Sequence, residues 1–331
     1  MKTFYPAVLM LGLFGAPAFA QATCEPGETV IKFSHVVAAE GHPKGEMATA
    51  LAARVNREMD GTACMLVFPM SELYDDNDVM EAILLGDVHL AAPSVSKLEN
   101  YTFQYRVFDL PFLFDDMDAV QRFVGGPMGQ DLLDAMSDYG FAGLGYLFNG
   151  LKQFSASRPL LVPGDAEGLT FRVQASDVAT SMVEALAARA RQLPFEEVRA
   201  ALQKGLVDGQ ENTWSNIYTA GFYEFQEEVT ATNHQLLVYL VVTSKEWLDS
   251  LDSDVRLQFL SILGEVIEAA NMRADGINQA SRQRIVEAGG TVRELTGDQR
   301  RQWRSVMAPV WDEYETMIGV DLIDAAIAAN D

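Results

Sequence analysis

The chain has 331 residues, 49% hydrophobic and 21% charged, so it can bury a substantial core and is long enough for two domains of ordinary size. Acid dominates: 47 Asp and Glu face 24 Lys and Arg, for a formal net charge of -23. That balance disfavours nucleic acid and anionic membranes as partners, and it obliges any anion site to concentrate positive charge locally.

The first 20 residues, MKTFYPAVLMLGLFGAPAFA, carry Lys2, an apolar run over 7–14 and the small-x-small triplet Ala18-Phe19-Ala20. This pattern predicts a secretory signal cut after Ala20, too short for a membrane anchor, and export as a soluble protein. No later stretch is apolar for long enough to cross a bilayer. Export puts Cys24 and Cys64 in an oxidising compartment. Each precedes a strand-like segment, VIKFSHV at 30–36 and CMLVFP at 64–69, with a helical pattern between them. If these are neighbouring parallel strands, their starts lie side by side and a disulfide is sterically reasonable.

In PKGEMATALAARVNREM, Met47, Leu51 and Val55 recur every four residues and form one helical face. A second helix near 76–85 and a short strand, VHLAAPS, follow. The middle repeats the alternation: FAGLGYLFNG, LTFRV, RQLP, EEVTATN and LLVYLVVT read as strands, SDVATSMVEALAA and EEVRAALQKG as helices. Such an order predicts an α/β fold with mainly parallel sheets flanked by helices. From 252 to 288 the pattern is helical and nearly free of breakers, about 50 Å long at 1.5 Å per residue, which suits a brace across two lobes. There is no linker-like tract, so the chain is expected to cross between lobes more than once.

Enzyme signatures are missing: no nucleophile elbow, no phosphate loop, no dinucleotide fingerprint and no zinc-protease helix. His35, His42, His89 and His234 lack helical ligand spacing, and the pair His35 and His42 makes a poor zinc case. Cationic and amide residues at strand ends stand out instead. In GLTFRVQ, Arg172 alternates with the apolar Leu169, Phe171 and Val173 and points away from their face. In a covered sheet such an Arg is either in a structural salt bridge or is a bidentate clamp for a ligand carboxylate. Lys152 follows a strand in NGLKQFS, where a surface lysine is the ordinary reading, and Asn212 in LVDGQENTWSNIY reads by pattern as a cap or turn residue.

Taken in order, KFSHVVAAEGHPKG, VFDLPFLFDD, GLTFRVQASD, ALQKGLVDGQENTWSNIY and TNHQLLVYLVV closely resemble the substrate-binding subunits of tripartite ATP-independent periplasmic (TRAP) transporters, and within them the DctP-type C4-dicarboxylate receptors. The resemblance covers about residues 29–315. It implies a two-lobed, periplasmic-binding-protein-like fold that closes on its ligand, with lobe I over 26–149 plus 238–277 and lobe II over 150–237 plus 278–331. It also implies Arg172, Lys152 and Asn212 on the ligand carboxylate, although many relatives have Arg at the position of Lys152. Phe195 packs on the ligand, and Trp214 and Asn216 shape the pocket. His35, Lys44 and Ser94 are candidates from the other lobe, beside ordinary readings as a cap, a surface lysine and a turn serine. The implied function is capture of malate, succinate or fumarate in the periplasm and delivery to TRAP membrane subunits, with no chemistry, cofactor or metal. Alternatives are a sugar acid or other monocarboxylate, with His35 and Lys44 reading hydroxyls, and an exported lyase or isomerase with His35 as base.

Overall fold

The computed structural model describes residues 23–331, so the expected signal segment lies outside the described residues. Among these residues no helix is long and apolar enough to cross a membrane.

Two sheets organise the chain. The first is built from β1 (Thr29–Ser34), β2 (Ala63–Phe68), β3 (Leu90–Ala91), β4 (Phe141–Leu151) and, much later, a long strand at Leu236–Ser244. The second holds β5 (Gln153–Ala156), β6 (Thr170–Val173), β7 (Arg189–Gln192), β8 (Gly209–Asn212), β9 (Glu228–Ala231) and a final strand at Thr291–Glu294. With the late strands numbered β10 and β11, the orders are β2-β1-β3-β10-β4 and β11-β9-β5-β8-β6-β7. β1 is parallel to β2 and β3, and β6 to β7 and β8, as the alternating pattern predicts; β10 and β5 run antiparallel to their neighbours.

The chain passes between sheets where β4 runs into β5 and again where β9 runs into β10. The two passages are tied together: Lys152 N–H donates to the Gln235 carbonyl at 2.7 Å, and His234 N–H to the Lys152 carbonyl at 3.3 Å. A helix of 35 residues, Ser253–Glu287, places Phe259, Ile262, Leu263 and Val266 in the core of the first sheet and Ile285 in that of the second, so it does brace both lobes. Ser253 follows an Asp252 cap whose carboxylate accepts from Asp254 N–H.

Cys24 and Cys64 are joined, with Cα atoms 5.4 Å apart, at the starts of parallel β1 and β2. Helices Pro309–Ile318 and Val320–Ala328 put Val310, Tyr314, Ile318, Leu322 and Ile323 into one core with Phe108, Leu110, Phe114 and Phe123, while Tyr314 Oη also meets Ser181 Oγ of lobe II at 2.8 Å, so this segment packs on both lobes. Its apolar face is buried against the turns of 103–109 and helix Met117–Gly125.

Candidate functional site

The site forms between the sheets. Arg172 lies on β6, paired through the backbone with Gln210 of β8 on one side and Arg191 of β7 on the other, and only 2% of its surface is exposed. Its Nε and Nη2 donate to the Leu193 carbonyl at 3.0 and 2.8 Å. No carboxylate pairs with it among the described residues. Of the five guanidinium N–H groups, three are left over to face a small cavity. Burial pulls its pKa down to about 10, while Glu211, Glu196 and Asp76 act to raise it, so the group stays charged at neutral pH.

The cavity is small, about 30 Å³, and both lobes line it. Lobe II supplies Arg172, Gln174, Phe195, Asn212 and Asn216; lobe I supplies Lys44, Asp76, Ser94, Lys97 and Tyr239. Lys44 emerges from the first turn of helix Pro43–Glu58, fully buried, with Nζ donating to the Ala92 carbonyl at 2.9 Å and lying 4.1 Å from the Tyr239 ring centroid. Lys97 Nζ is 3.8 Å from Asp76. The lining holds three cations and one carboxylate, with Glu196 and Glu211 acting on Arg172 from outside it, in a protein that is otherwise strongly acidic. A buried excess of charge is costly unless a guest anion neutralises it.

Asn212 ends β8, the strand that runs straight into helix Trp214–Thr219, so QENTWSN is a strand end and a helix start. Its Oδ1 accepts from Thr213 N–H at 3.1 Å and from Asn216 Nδ2 at 2.5 Å, while its Nδ2 makes no hydrogen bond among the described residues. Phe195 stands at the cavity edge, 5.6 Å from Phe222 in an edge-to-face pair. Ser94 lies in the lining with its hydroxyl 3.2 Å from that of Ser96.

Three expected residues lie elsewhere. Lys152 is buried at the β4–β5 passage, but its Nζ faces Gln235 Oε1 at 2.7 Å and Glu211 Oε2 at 3.1 Å, away from the cavity lining. The lysine already has an internal carboxylate partner, which its neighbours in sequence did not reveal. Burial would push the Glu211 carboxyl up, but Lys152 and His234 hold it below its ordinary value. Trp214 lines a different groove, with Asn149 and Asn278, beneath the Arg282 guanidinium at 5.4 Å. It follows Asn212 by two residues across the strand-to-helix turn and so leaves the cavity. His35 is buried against Phe33 beside the lining residues Val36 and Val37, with neither ring nitrogen hydrogen-bonded. Burial, then the charge of Lys44, pull its pKa down to about 3, so it is neutral.

Gln174, Asp76, Lys97 and Tyr239 escaped sequence reasoning. Gln174 continues the polar side of GLTFRVQ two residues past Arg172, a signal that was legible; Asp76 sits in an acidic run that reads as solvated surface. Gln174 Nε2 donates to Ser96 Oγ at 2.6 Å, a bond between lobes, so the cleft is shut here.

Known proteins share this fold. The model of the family described as bacterial extracellular solute-binding protein, family 7 (DctP) matches residues 33–317. The C4-dicarboxylate-binding periplasmic protein DctP of Vibrio cholerae is 54% identical over 311 residues, covering 94% of each chain. A TRAP periplasmic solute-binding protein from Shewanella oneidensis, solved with bound succinate, superposes with a TM-score of 0.90 at 47% identity, over 92% of this chain and 100% of that one. Another from Pseudomonas aeruginosa, solved with L-malate, gives 0.85 at 39% identity, over 86% and 100%. The chain belongs to the DctP family, family 7 of the bacterial extracellular solute-binding proteins.

Proposed function

We propose that this protein is a periplasmic receptor for a C4-dicarboxylate such as succinate, L-malate or fumarate, exported by its N-terminal signal with cleavage after Ala20, which delivers its ligand to the membrane subunits of a TRAP transporter. The observation that carries the reading is the cavity's charge: Arg172 of one lobe and Lys44 and Lys97 of the other surround one carboxylate, Asp76. A C4-dicarboxylate carries two charges near neutral pH, since its carboxyls titrate roughly where side-chain carboxyls do, at about 4. Arg172 and Asn212 hold one carboxylate from lobe II, and Lys44 and Lys97 meet the other from lobe I. Phe195 covers the carbon chain. Lys152 serves indirectly, keeping Glu211 ionised behind Arg172.

Net contributions of roughly 1.5 to 3 kcal/mol per charge-assisted hydrogen bond, set against ordering costs, give a dissociation constant near micromolar, about -8 kcal/mol. Closure follows because only the shut state brings both lobes onto one ligand. The relatives that bind succinate and L-malate support the ligand class, and membership in a solute-binding family sets aside a lyase or isomerase. Thermal unfolding with a panel of small organic acids tests the reading. Dicarboxylates are expected to stabilise the chain, by about 2.7 kcal/mol at 100 times the dissociation constant. Stabilisation by sugar acids or monocarboxylates alone would move the protein to the other ligand class.

A further inference from the structure

His42 is fully buried, caps helix Pro43–Glu58 and is not part of the cavity lining. Its two ring nitrogens have unequal partners. Lys44 N–H donates to Nδ1 at 3.1 Å, and a backbone N–H can only donate, so Nδ1 carries the lone pair and a neutral ring holds its proton on Nε2. Nε2 lies 2.7 Å from Asn216 Oδ1, which must therefore accept. Asn216 then has its Nδ2 to give, and that group is 2.5 Å from Asn212 Oδ1. The far end is pinned independently, because Thr213 N–H donates to the same Asn212 oxygen at 3.1 Å. Two backbone donors thus fix the polarity of the whole chain of amides. Asn149 Nδ2 approaches His42 Nε2 at 3.3 Å, but it has a shorter bond to Tyr239 Oη at 2.9 Å, whose own distance to Nε2 is 3.5 Å.

We propose that His42 is a positioning residue for anion recognition: through Asn216 it holds the Asn212 amide with Nδ2 toward the ligand carboxylate beside Arg172. The inference rests on the receptor reading above. A carboxylate only accepts, so an amide turned the other way would present an oxygen to it and repel it. His42 belongs to lobe I and the two asparagines to lobe II, so the relay is complete only when the cleft is shut. Thr213 N–H already holds the Asn212 oxygen within lobe II, and closure adds a second hold from His42 through Asn216, which couples closure to the sign of the ligand's charge.

The test is calorimetric titration of succinate and of L-malate into the mature chain, as a double-mutant cycle. His42→Asn keeps a capping side chain but is too short to reach Asn216. Affinity should fall about tenfold in the wild-type background, which is about 1.4 kcal/mol, and by less than about twofold when Asn212→Ala is already present. Asn216→Leu, similar in shape and without hydrogen bonds, breaks the relay at its middle and should behave the same way, covering the case in which His42→Asn does not fold. Nitrogen-15 NMR should show His42 in the Nε2–H tautomer. An equal loss in both backgrounds, no loss in either, or an Nδ1–H tautomer overturns the relay. If the wild type binds neither acid, the receptor reading fails instead, and the tautomer measured in the ligand-free chain still decides whether the relay's lobe I anchor exists.

Discussion

The Arg172 guanidinium shares the Leu193 carbonyl between Nε and Nη2, at 3.0 and 2.8 Å. A neutral acceptor orients the planar fork without cancelling its charge. Glu211, Glu196 and Asp76 favour the cation through space, with none of them occupying its donors. The group is in this way kept charged, rigid and incomplete, which is what bidentate carboxylate recognition needs.

Lys152 and Glu211 form a buried pair, 2% and 1% exposed at their side chains. Lys152→Met strands the Glu211 carboxylate and should destabilise the ligand-free protein by about 3 to 5 kcal/mol. Lys152→Met with Glu211→Gln removes both charges and should recover most of that loss. Chemical denaturation of the three proteins decides. A Lys152→Met protein as stable as the wild type would show that the pair has no structural role.

Lys44 gives the site a pH dependence. Burial lowers its pKa to about 8, against the raising effect of Asp76 and with a further lowering by Lys97. Without ligand, the folded value lies below the ordinary 10.5, so between about 8 and 10.5 the unfolded chain binds more protons and stability rises with pH. Ligand affinity has the opposite sign. A dianion favours charged Lys44, so affinity is full below about pH 8 and weakens above it, with proton uptake on binding. Titration at about pH 7 and about pH 9, in buffers of different ionisation enthalpy, measures this, and Lys44→Met should abolish the uptake. Affinity that stays constant over that range would exclude Lys44 from contact with the ligand.

The Cys24–Cys64 bridge spans a sequence separation of 40 and, on the chain-entropy model, stabilises by about 4 kcal/mol. It ties the starts of β1 and β2, whereas Val36 and Val37, just past the end of β1, line the cavity. Cys24→Ser with Cys64→Ser should therefore lower the denaturation midpoint while leaving the dissociation constant for succinate within about twofold. A large loss of affinity would mean that the bridge governs the cleft as well.

Much of the architecture was legible in the sequence because strands and helices carry their own periodicity. β1, β2, the helix at 43–58 and the long brace announced themselves by alternation or by four-residue spacing. Arg172 was legible for the same reason, as a charge on the wrong side of an apolar strand. Segment 95–109 was not, since short 3-10 turns have no extended period to read. Lys152 illustrates a different limit. Its strand-end position was visible, but Glu211 meets it from 59 residues away through the pairing of β5 with β8. The same holds for His42 and Asn216, 174 residues apart, whose contact exists only because the lobes close.

The most direct measurement is titration of succinate into the wild type and Arg172→Ala side by side. Binding near micromolar is expected for the wild type and a loss of about 2 to 5 kcal/mol in the variant, because the enclosed carboxylate would be left without its principal partner. Equal affinity in the two proteins would contradict this expectation.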